Sequence, residues 1–525
     1  MHVRTQKQDA GLIAPAYDFI VCGAGSSGSV VARRLADNPA VNVLLLEAGG
    51  DGDSPAVTEA ARWMQNIGSE RDWCFAAEPN PRLNGRALHL AMGKGLGGGS
   101  SMNGMMWSRG HRNDWEFFAA EAGDPCWNYD SVLKLYRRVE DWQGAPDSGR
   151  RGVGGPLFVQ PLPDPQPIML AFKEAAASCG IPAYEDANGA MMEGAGGAAL
   201  LNVTIREGQR LSIFCAYTAC IVNHANLTVV SGAVVTRLLV EGGRASGVEF
   251  VFDGQARSVR SGLRVVLSLG AINTPKLLMQ SGIGDELELA RHGIRTIQHL
   301  PGVGRNFQDH FTVAGAVWSS KEPLPFGANG GGVVAFAKSR PGLDAPDFQL
   351  IQAVLPYVSA EARPAGLPPD TWSILPGVVR PASRGRIGLK GPNPSDGVEI
   401  DAGFLNEPAD MRAALDCLAL SRELGNAPAM RRFSGPEILP GRLCGPELES
   451  FVRNAIMPQW HPCGTAKMGR DPLSVVDHRL RVYGIDGLTI ADSSVLPRAP
   501  TGNTMAPCVV IGERASDILK IEHGI

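Results

Sequence analysis

Gly23, Gly25 and Gly28 stand at G-x-G-x-x-G spacing, and Glu47 follows Gly28 by 19 positions. The first glycine permits a tight turn. The second lets the backbone approach a pyrophosphate, and the third lets a helix pack close to a strand. The free N–H groups at the start of such a helix favour phosphate oxygens. Glu47 would then accept hydrogen bonds from a ribose. The pattern alone is weak, and a purely structural glycine turn is its alternative. What favours a dinucleotide is the context of strand, turn, helix and acid. No Arg or Lys directly follows Glu47, which disfavours a 2′-phosphate. This unit does not separate NAD from FAD.

A second glycine-rich stretch covers residues 93–99 and leads into Ser100 and Asn103. Gly95 and residues 97–99 allow backbone to pass close to a flat ring or a phosphate. Ser100 and Asn103 can hydrogen-bond such a group. The alternative is an ordinary surface loop. The ten histidines single out none by themselves, because a lone histidine is more often structural.

The elements that must position these residues are legible nearby. D-F-I-V-C at 18–22 reads as a buried strand and S-V-V-A-R-R-L-A-D at 29–37 as an amphipathic helix. V-N-V-L-L-L-E at 41–47 reads as a second buried strand. Near-continuous apolar runs suit parallel strands covered on both faces, and the three elements make one βαβ unit. Short strands fill 227–269, and a helix is expected over 274–279. From 310 to 441 prolines thicken, and helical periodicity is scarce until 410–424. This stretch reads as part of a second domain. A strand at G-L-T-I-A-D and a helix near 506–519 close the chain.

The 525 residues suggest roughly two to four domains. Apolar residues make up 44% and charged residues 19%, as in globular proteins. A net charge of -4 argues against a nucleic-acid partner. The ten cysteines include no C-x-x-C pair, so neither a zinc site nor a thioredoxin-like centre is expected. Scattered thiols suit a reducing compartment. Residues 1–10 carry no apolar signal segment, and no run of about 18 apolar residues exists. The expectation is a cytoplasmic enzyme with no metal and no membrane span.

Two longer stretches narrow the reading. G-K-G-L-G-G-G-S-S-M-N-G-M-M-W-S-R-G at 93–110 and G-A-I-N-T-P-K-L-L-M-Q-S-G-I-G at 270–284 resemble the two signatures of the glucose–methanol–choline (GMC) oxidoreductases. P-G-V-G-R-N-F-Q-D-H at 301–310, G-Q-R-L-S at 208–212 and Ala216-Tyr217 are similar to family segments too. The likeness runs from about residue 16 to the end, towards the choline dehydrogenase-like and alcohol oxidase-like branch. It implies an α/β fold, with a Rossmann-like FAD-binding domain at 15–155, 200–310 and 456–525. An antiparallel-sheet substrate-binding domain would be interleaved at 156–199 and 311–455.

The resemblance also implies roles for residues. His461, in W-H-P-C-G-T, matches the family's catalytic base, and Asn503, in P-T-G-N-T, its second polar position. A neutral histidine suits proton abstraction near neutral pH, and flavin N5 can take the hydride. The expected FAD contacts are Gly23, Gly25, Ser26, Ser27, Gly28, Glu47, Ala48, Gly95, Gly99, Ser100, Asn103, Gly104, Met105, Val234, Ala491, Asp492, Asn503, Thr504 and Met505. Asp492 has a turn-capping alternative. Choline oxidase-like members carry a flavin-linked histidine where Met102 stands here, so noncovalent FAD is expected. Trp107, Trp460 and Met105 could line an apolar pocket for an aromatic or alkyl primary alcohol, or be ordinary core. Cys463, two positions from His461, has no evident basic partner and reads as packing.

The implied reaction is oxidation of an alcohol to an aldehyde or ketone, with oxygen or a quinone as acceptor. No motif reports oxygen access, which leans towards a dehydrogenase. A family lyase that cleaves cyanohydrins shares these motifs. A nonenzymatic FAD-binding protein and an NAD-dependent reductase are further alternatives. A homodimer is compatible with the sequence.

Overall fold

The computed structural model describes residues 13–525, so the expectation about residues 1–10 lies outside the described residues. Strand β1 (Ala16–Cys22), helix α1 (Ser26–Ala36) and strand β2 (Val43–Glu47) form the predicted βαβ unit. β1 pairs in parallel with β2, Phe19 to Cys22 facing Val43 to Leu46 in register. Phe19, Ile20, Val21, Leu44 and Leu45 are fully buried. Burying each such side chain contributes roughly 1.5–3 kcal/mol. A Cβ at position 28 would meet the Gly23 carbonyl oxygen at 1.9 Å, so only glycine lets α1 start this close to the turn.

The first sheet has seven strands. Leu227–Ser231, β2, β1 and Gln255–Leu267 run side by side in parallel. The long strand Gln255–Leu267 also pairs with Leu488–Ile490 in parallel and with Arg244–Phe252 antiparallel. Val234–Glu241 completes that hairpin extension. Helix Met505–His523 packs on α1. Ser27 Oγ donates to the Cys508 carbonyl at 2.7 Å, and Arg34 pairs with the buried Glu513.

The second sheet has eight strands. Its main path runs Ser434–Leu439, Ala316–Ser320, Thr371–Val378, Phe348–Ala353, Gly331–Ala337, Gly197–Leu200. Phe311–Val313 pairs with Thr371–Val378 and on its other side with Ile456–Pro458, and every pairing is antiparallel. Helix Pro408–Gly425 covers this sheet. The protein is thus an α/β fold with two apolar cores, one under each sheet.

The packing does not follow the expected domain limits everywhere. The hairpin Arg386–Leu389/Val398–Asp401 falls within 311–455, yet Ile387, Leu389, Val398 and Ile400 belong to the first core. Ile456–Pro458 falls within 456–525, yet pairs in the second sheet. Short strands swap cores where their apolar side chains find the better cover, which chain position alone does not disclose.

Candidate active site

A cavity of about 580 Å³ runs from the glycine turn after β1 to the second sheet, within the usual range for ligand sites. Gly23, Gly25, Ser26, Ser27, Glu47, Ala48, Gly99, Asn103, Gly104, Val234, Asp492, Asn503, Thr504 and Met505 line it, as do Trp460 and His461. The fit to an extended dinucleotide is seen in the glycine loops. The Gly97 N–H donates to the Ala24 carbonyl at 2.8 Å, so the second loop lies directly on the first turn. A Cβ on Gly98 would stand 2.8 Å from Gly25 Cα. Two backbones therefore border one wall with no side chain between them.

Six expected site residues lie outside the lining. Gly28 is under the Gly23 carbonyl. The Gly95 N–H is spent on Glu47 Oε1 at 3.0 Å. Ser100 Oγ donates to the Gly97 carbonyl and accepts from the Ile213 N–H. Met105, at φ 56°, is fully buried in the second core. Ala491 is buried, its carbonyl taken by Ser268 Oγ. Trp107 is a correction to the pocket wall: its indole N–H donates to the buried Glu140 at 2.6 Å, which also pairs with Arg109 and Arg151. That buried charge cluster draws the ring into the first core. The apolar wall comes instead from Trp63, Met106, Ile351, Leu355 and the stacked pair Trp73–Phe75.

Two carboxylates of the lining are already engaged. Glu47 accepts from the N–H groups of Ala24, Gly49 and Gly95 at 2.9, 2.9 and 3.0 Å. Burial pushes its carboxyl above the usual range, and those N–H groups oppose the shift. Asp492 accepts from the N–H of Gly270 and the Thr274 hydroxyl, and from the N–H of Ser494. It therefore caps the start of helix Gly270–Gln280 while lining the cavity.

His461 and Asn503 meet at the far end. Asn503 Nδ2 lies 3.1 Å from His461 Nε2, and His461 Nδ1 lies 3.0 Å from His310 Nδ1. An amide nitrogen only donates, so His461 Nε2 accepts and its proton sits on Nδ1. The preceding Trp460 has φ 60°, a costly conformation for a bulky residue. It is held by its indole N–H on the His89 carbonyl and by the His461 N–H on Asp309 Oδ1 at 2.8 Å. Burial, and then the neighbouring His310 ring, hold His461 well below the ordinary histidine range. Burial lowers His310 to about 4. Both rings are therefore neutral at pH 7, and the His461 lone pair, on Nε2, is met by the Asn503 amide at the cavity wall.

The segment ending at His310 resembles the family's, but its pattern alone assigns the histidine no role and no contact. Gln349 is missed from the sequence altogether, because it lies in a strand of the second sheet that carries no motif.

Among the described residues, one trio has the spacing of metal ligands: Asp72, Cys74 and His89, on and beside the hairpin Phe75–Ala76/His89–Leu90. Asp72 already accepts from the N–H groups of Gly68, Cys74 and Met92, and His89 Nε2 stands 3.2 Å away. These bonds account for the cluster as a brace for the hairpin. Cys463 is fully buried in the first core, and burial pushes its thiol well up. A mild aromatic disulfide reagent should therefore titrate the exposed Cys74, Cys215, Cys220 and Cys444 rapidly. Cys22, Cys417 and Cys463 should react only after unfolding; rapid labelling of Cys463 in the folded protein would contradict this packing.

The GMC oxidoreductase family profile matches residues 17–312, and its C-terminal counterpart matches residues 381–512. The chain belongs to the GMC oxidoreductase family. It is similar to an uncharacterized GMC-type oxidoreductase of Mycobacterium tuberculosis, 38% identical with 96% of this chain and 99% of the relative covered. An oxygen-dependent choline dehydrogenase of Rhizobium etli is 35% identical, with 95% of each chain covered. Among solved structures, pyridoxine 4-oxidase from Mesorbium loti superimposes with a TM-score of 0.92 at 32% identity, covering 97% of this chain and 99% of that one. Formate oxidase from Aspergillus oryzae gives 0.89 at 26%, covering 98% and 100%.

As a GMC family member, this protein is an oxidoreductase acting on CH–OH groups, with FAD as the family's cofactor. The unmatched residues 313–380 hold the strands from Ala316–Ser320 to Thr371–Val378, of which Gly331, Ile351, Ala353 and Leu375 line the cavity. No helix among the described residues is long and apolar enough to cross a membrane.

Proposed function

We propose that this GMC oxidoreductase oxidises an uncharged primary alcohol, aromatic or alkyl, to its aldehyde, with noncovalent FAD. The observation that carries the reading is the His461–Asn503 pair, 3.1 Å apart, at the end of a cavity that begins at the glycine turn. Gly23, Gly25, Ser26, Gly99, Val234 and Asp492 would hold the dinucleotide. Bound FAD supplies the hydride acceptor. His461 Nε2 accepts the hydroxyl proton of the alcohol. An amide nitrogen has two N–H bonds, so Asn503 can steady the oxygen as its proton leaves. The aldehyde forms as the same carbon gives up its hydride. Met102 lines the cavity where a linking histidine would be needed, and a thioether makes no such bond.

The wall argues for an uncharged substrate. Glu47, Asp492 and Lys276 are the charged residues that line the cavity among the described residues. The two carboxylates are engaged by backbone N–H groups, while Trp63, Trp73, Phe75, Met106 and Ile351 give the lining its apolar surface. A quaternary ammonium such as choline finds no free carboxylate there.

The test is an anaerobic panel of benzylic, furfuryl, short alkyl, choline and sugar alcohols, read by bleaching of the bound flavin. Benzylic or alkyl alcohols should bleach it faster than choline. Faster bleaching by choline would overturn the substrate assignment. Admitting air afterwards distinguishes oxygen, through prompt reoxidation and peroxide, from a quinone acceptor.

A further inference from the structure

Gln349 lies in strand Phe348–Ala353 of the second sheet, is fully buried, and donates from Nε2 to Asn503 Oδ1 at 3.2 Å. Its own Oε1 has no partner. Asn503 then directs Nδ2 at His461 Nε2, and His461 Nδ1 faces His310 Nδ1 at 3.0 Å. Four side chains thus form one line of hydrogen bonds with a single direction. The line has only two self-consistent polarities. In one, Gln349 donates to Asn503, which donates to His461. In the other both amides are turned, and His461 Nε2 must carry a proton to donate to Asn503 Oδ1. Only the first leaves a lone pair on His461 Nε2.

We propose that Gln349 is a positioning residue that selects the working tautomer of His461 by fixing which way the Asn503 amide points. With Asn503 Oδ1 held by Gln349, both Nδ2 hydrogens stay turned to the active site. They meet His461 in the resting protein and the substrate oxygen when an alcohol enters between the two residues. The inference deepens the proposed function and rests on His461 being the base. Gln349 lies outside both family matches, on a strand whose register against Thr371–Val378 sets it opposite Gly377. That register places the amide next to Asn503, 154 residues away in sequence.

The titratable groups around the line are few. His310 and His461 belong to it. Asp309 sits under the His461 backbone, Asp114 acts on His310 through its charge, and Cys417 Sγ meets the Gly377 carbonyl. Asp347 is two positions before Gln349 and is bonded to Ser339.

Two variants and one spectrum test the proposal. Gln349→Leu keeps the volume and removes the donor. The limiting rate of flavin bleaching should fall about tenfold, the effect of one lost hydrogen bond, with the half-saturating alcohol concentration unchanged. Gln349→Glu lacks a donor when ionised but has an O–H when protonated. Its bleaching rate should be low at about pH 8 and recover towards about pH 5, because burial raises a carboxyl pKa. A merely structural role for Gln349 gives a loss that pH does not relieve.

Independently of any alcohol, nitrogen-15 spectra of the histidine-labelled, FAD-loaded protein report the tautomer. His461→Gln assigns the signal. Wild type should show His461 protonated at Nδ1 and bare at Nε2, and Gln349→Leu should move protonation towards Nε2. A wild-type Nε2–H signal, or a tautomer unchanged in a folded Gln349→Leu protein, overturns the proposal. If no alcohol bleaches the flavin but the tautomer behaves as expected, it is the reaction assignment that fails and not the positioning role.

Discussion

Replacing His461 by alanine should slow flavin bleaching by alcohol roughly 10²–10⁴-fold, the usual worth of a general base, while flavin content stays at the wild-type level. The residue lines the cavity and its ring touches Asn503 and His310, whereas the proposed dinucleotide contacts come from the glycine loops and Asp492. Rapid mixing with a saturating alcohol separates the two effects, because flavin content is read before mixing. The sign of the pH dependence follows from burial. A histidine held well below its ordinary range stays neutral, and so basic, as pH falls from 8 through 6.5. Wild-type bleaching should therefore be flat across that window and fall only on its acid side. A rate that halves near pH 6.5 would mean that the ring is solvated like a free histidine.

Gly98→Val should yield a folded protein that binds FAD at least about tenfold more weakly, a loss of about 1.4 kcal/mol or more. Gly98 sits at φ 51°, which a β-branched residue adopts at a cost of roughly 1–2 kcal/mol. Its Cβ would also come within 2.8 Å of Gly25 Cα. That neighbour is backbone in the dinucleotide turn and cannot rotate away, so the two loops must separate where the cofactor is held. Gly50→Ala is the control. Position 50 has an ordinary φ, and a Cβ there meets nothing within 4 Å. Equal flavin content in the two variants, measured by absorbance on purified protein, would contradict the assigned cradle.

What was legible in the sequence follows from how local each signal is. The βαβ start is readable because its turn needs glycine at fixed spacing and its strands need continuous apolar runs. Helix Pro408–Gly425 and helix Met505–His523 extend the expected 410–424 and 506–519 by a few residues at their ends. The choice between Trp107 and Trp460 was not readable. Both are aromatic and lie beside a motif, and only the tertiary path sends one to Glu140 and the other to the cavity. Glu47 stands at the expected distance from the turn, but its bond to Gly95 spans 48 positions and no local pattern announces it. Gln349 reaches the site from a strand, where a single polar residue looks like any other, and the segment ending at His310 gives no sign that the ring faces His461. Sheet register, set by the pairing of whole strands, is what brings them to His461.

Under the proposed function, proton loss to His461 in this cavity is coupled to hydride loss to a bound flavin. An anaerobic titration of the purified, FAD-loaded protein with a benzylic alcohol tests it most directly, with flavin absorbance and aldehyde followed together. One equivalent of aldehyde should appear for each flavin bleached, and His461→Ala should show neither change on the same timescale. If the flavin stays yellow while the protein cleaves a cyanohydrin to its aldehyde, or if His461→Ala bleaches as fast as wild type, the account is wrong.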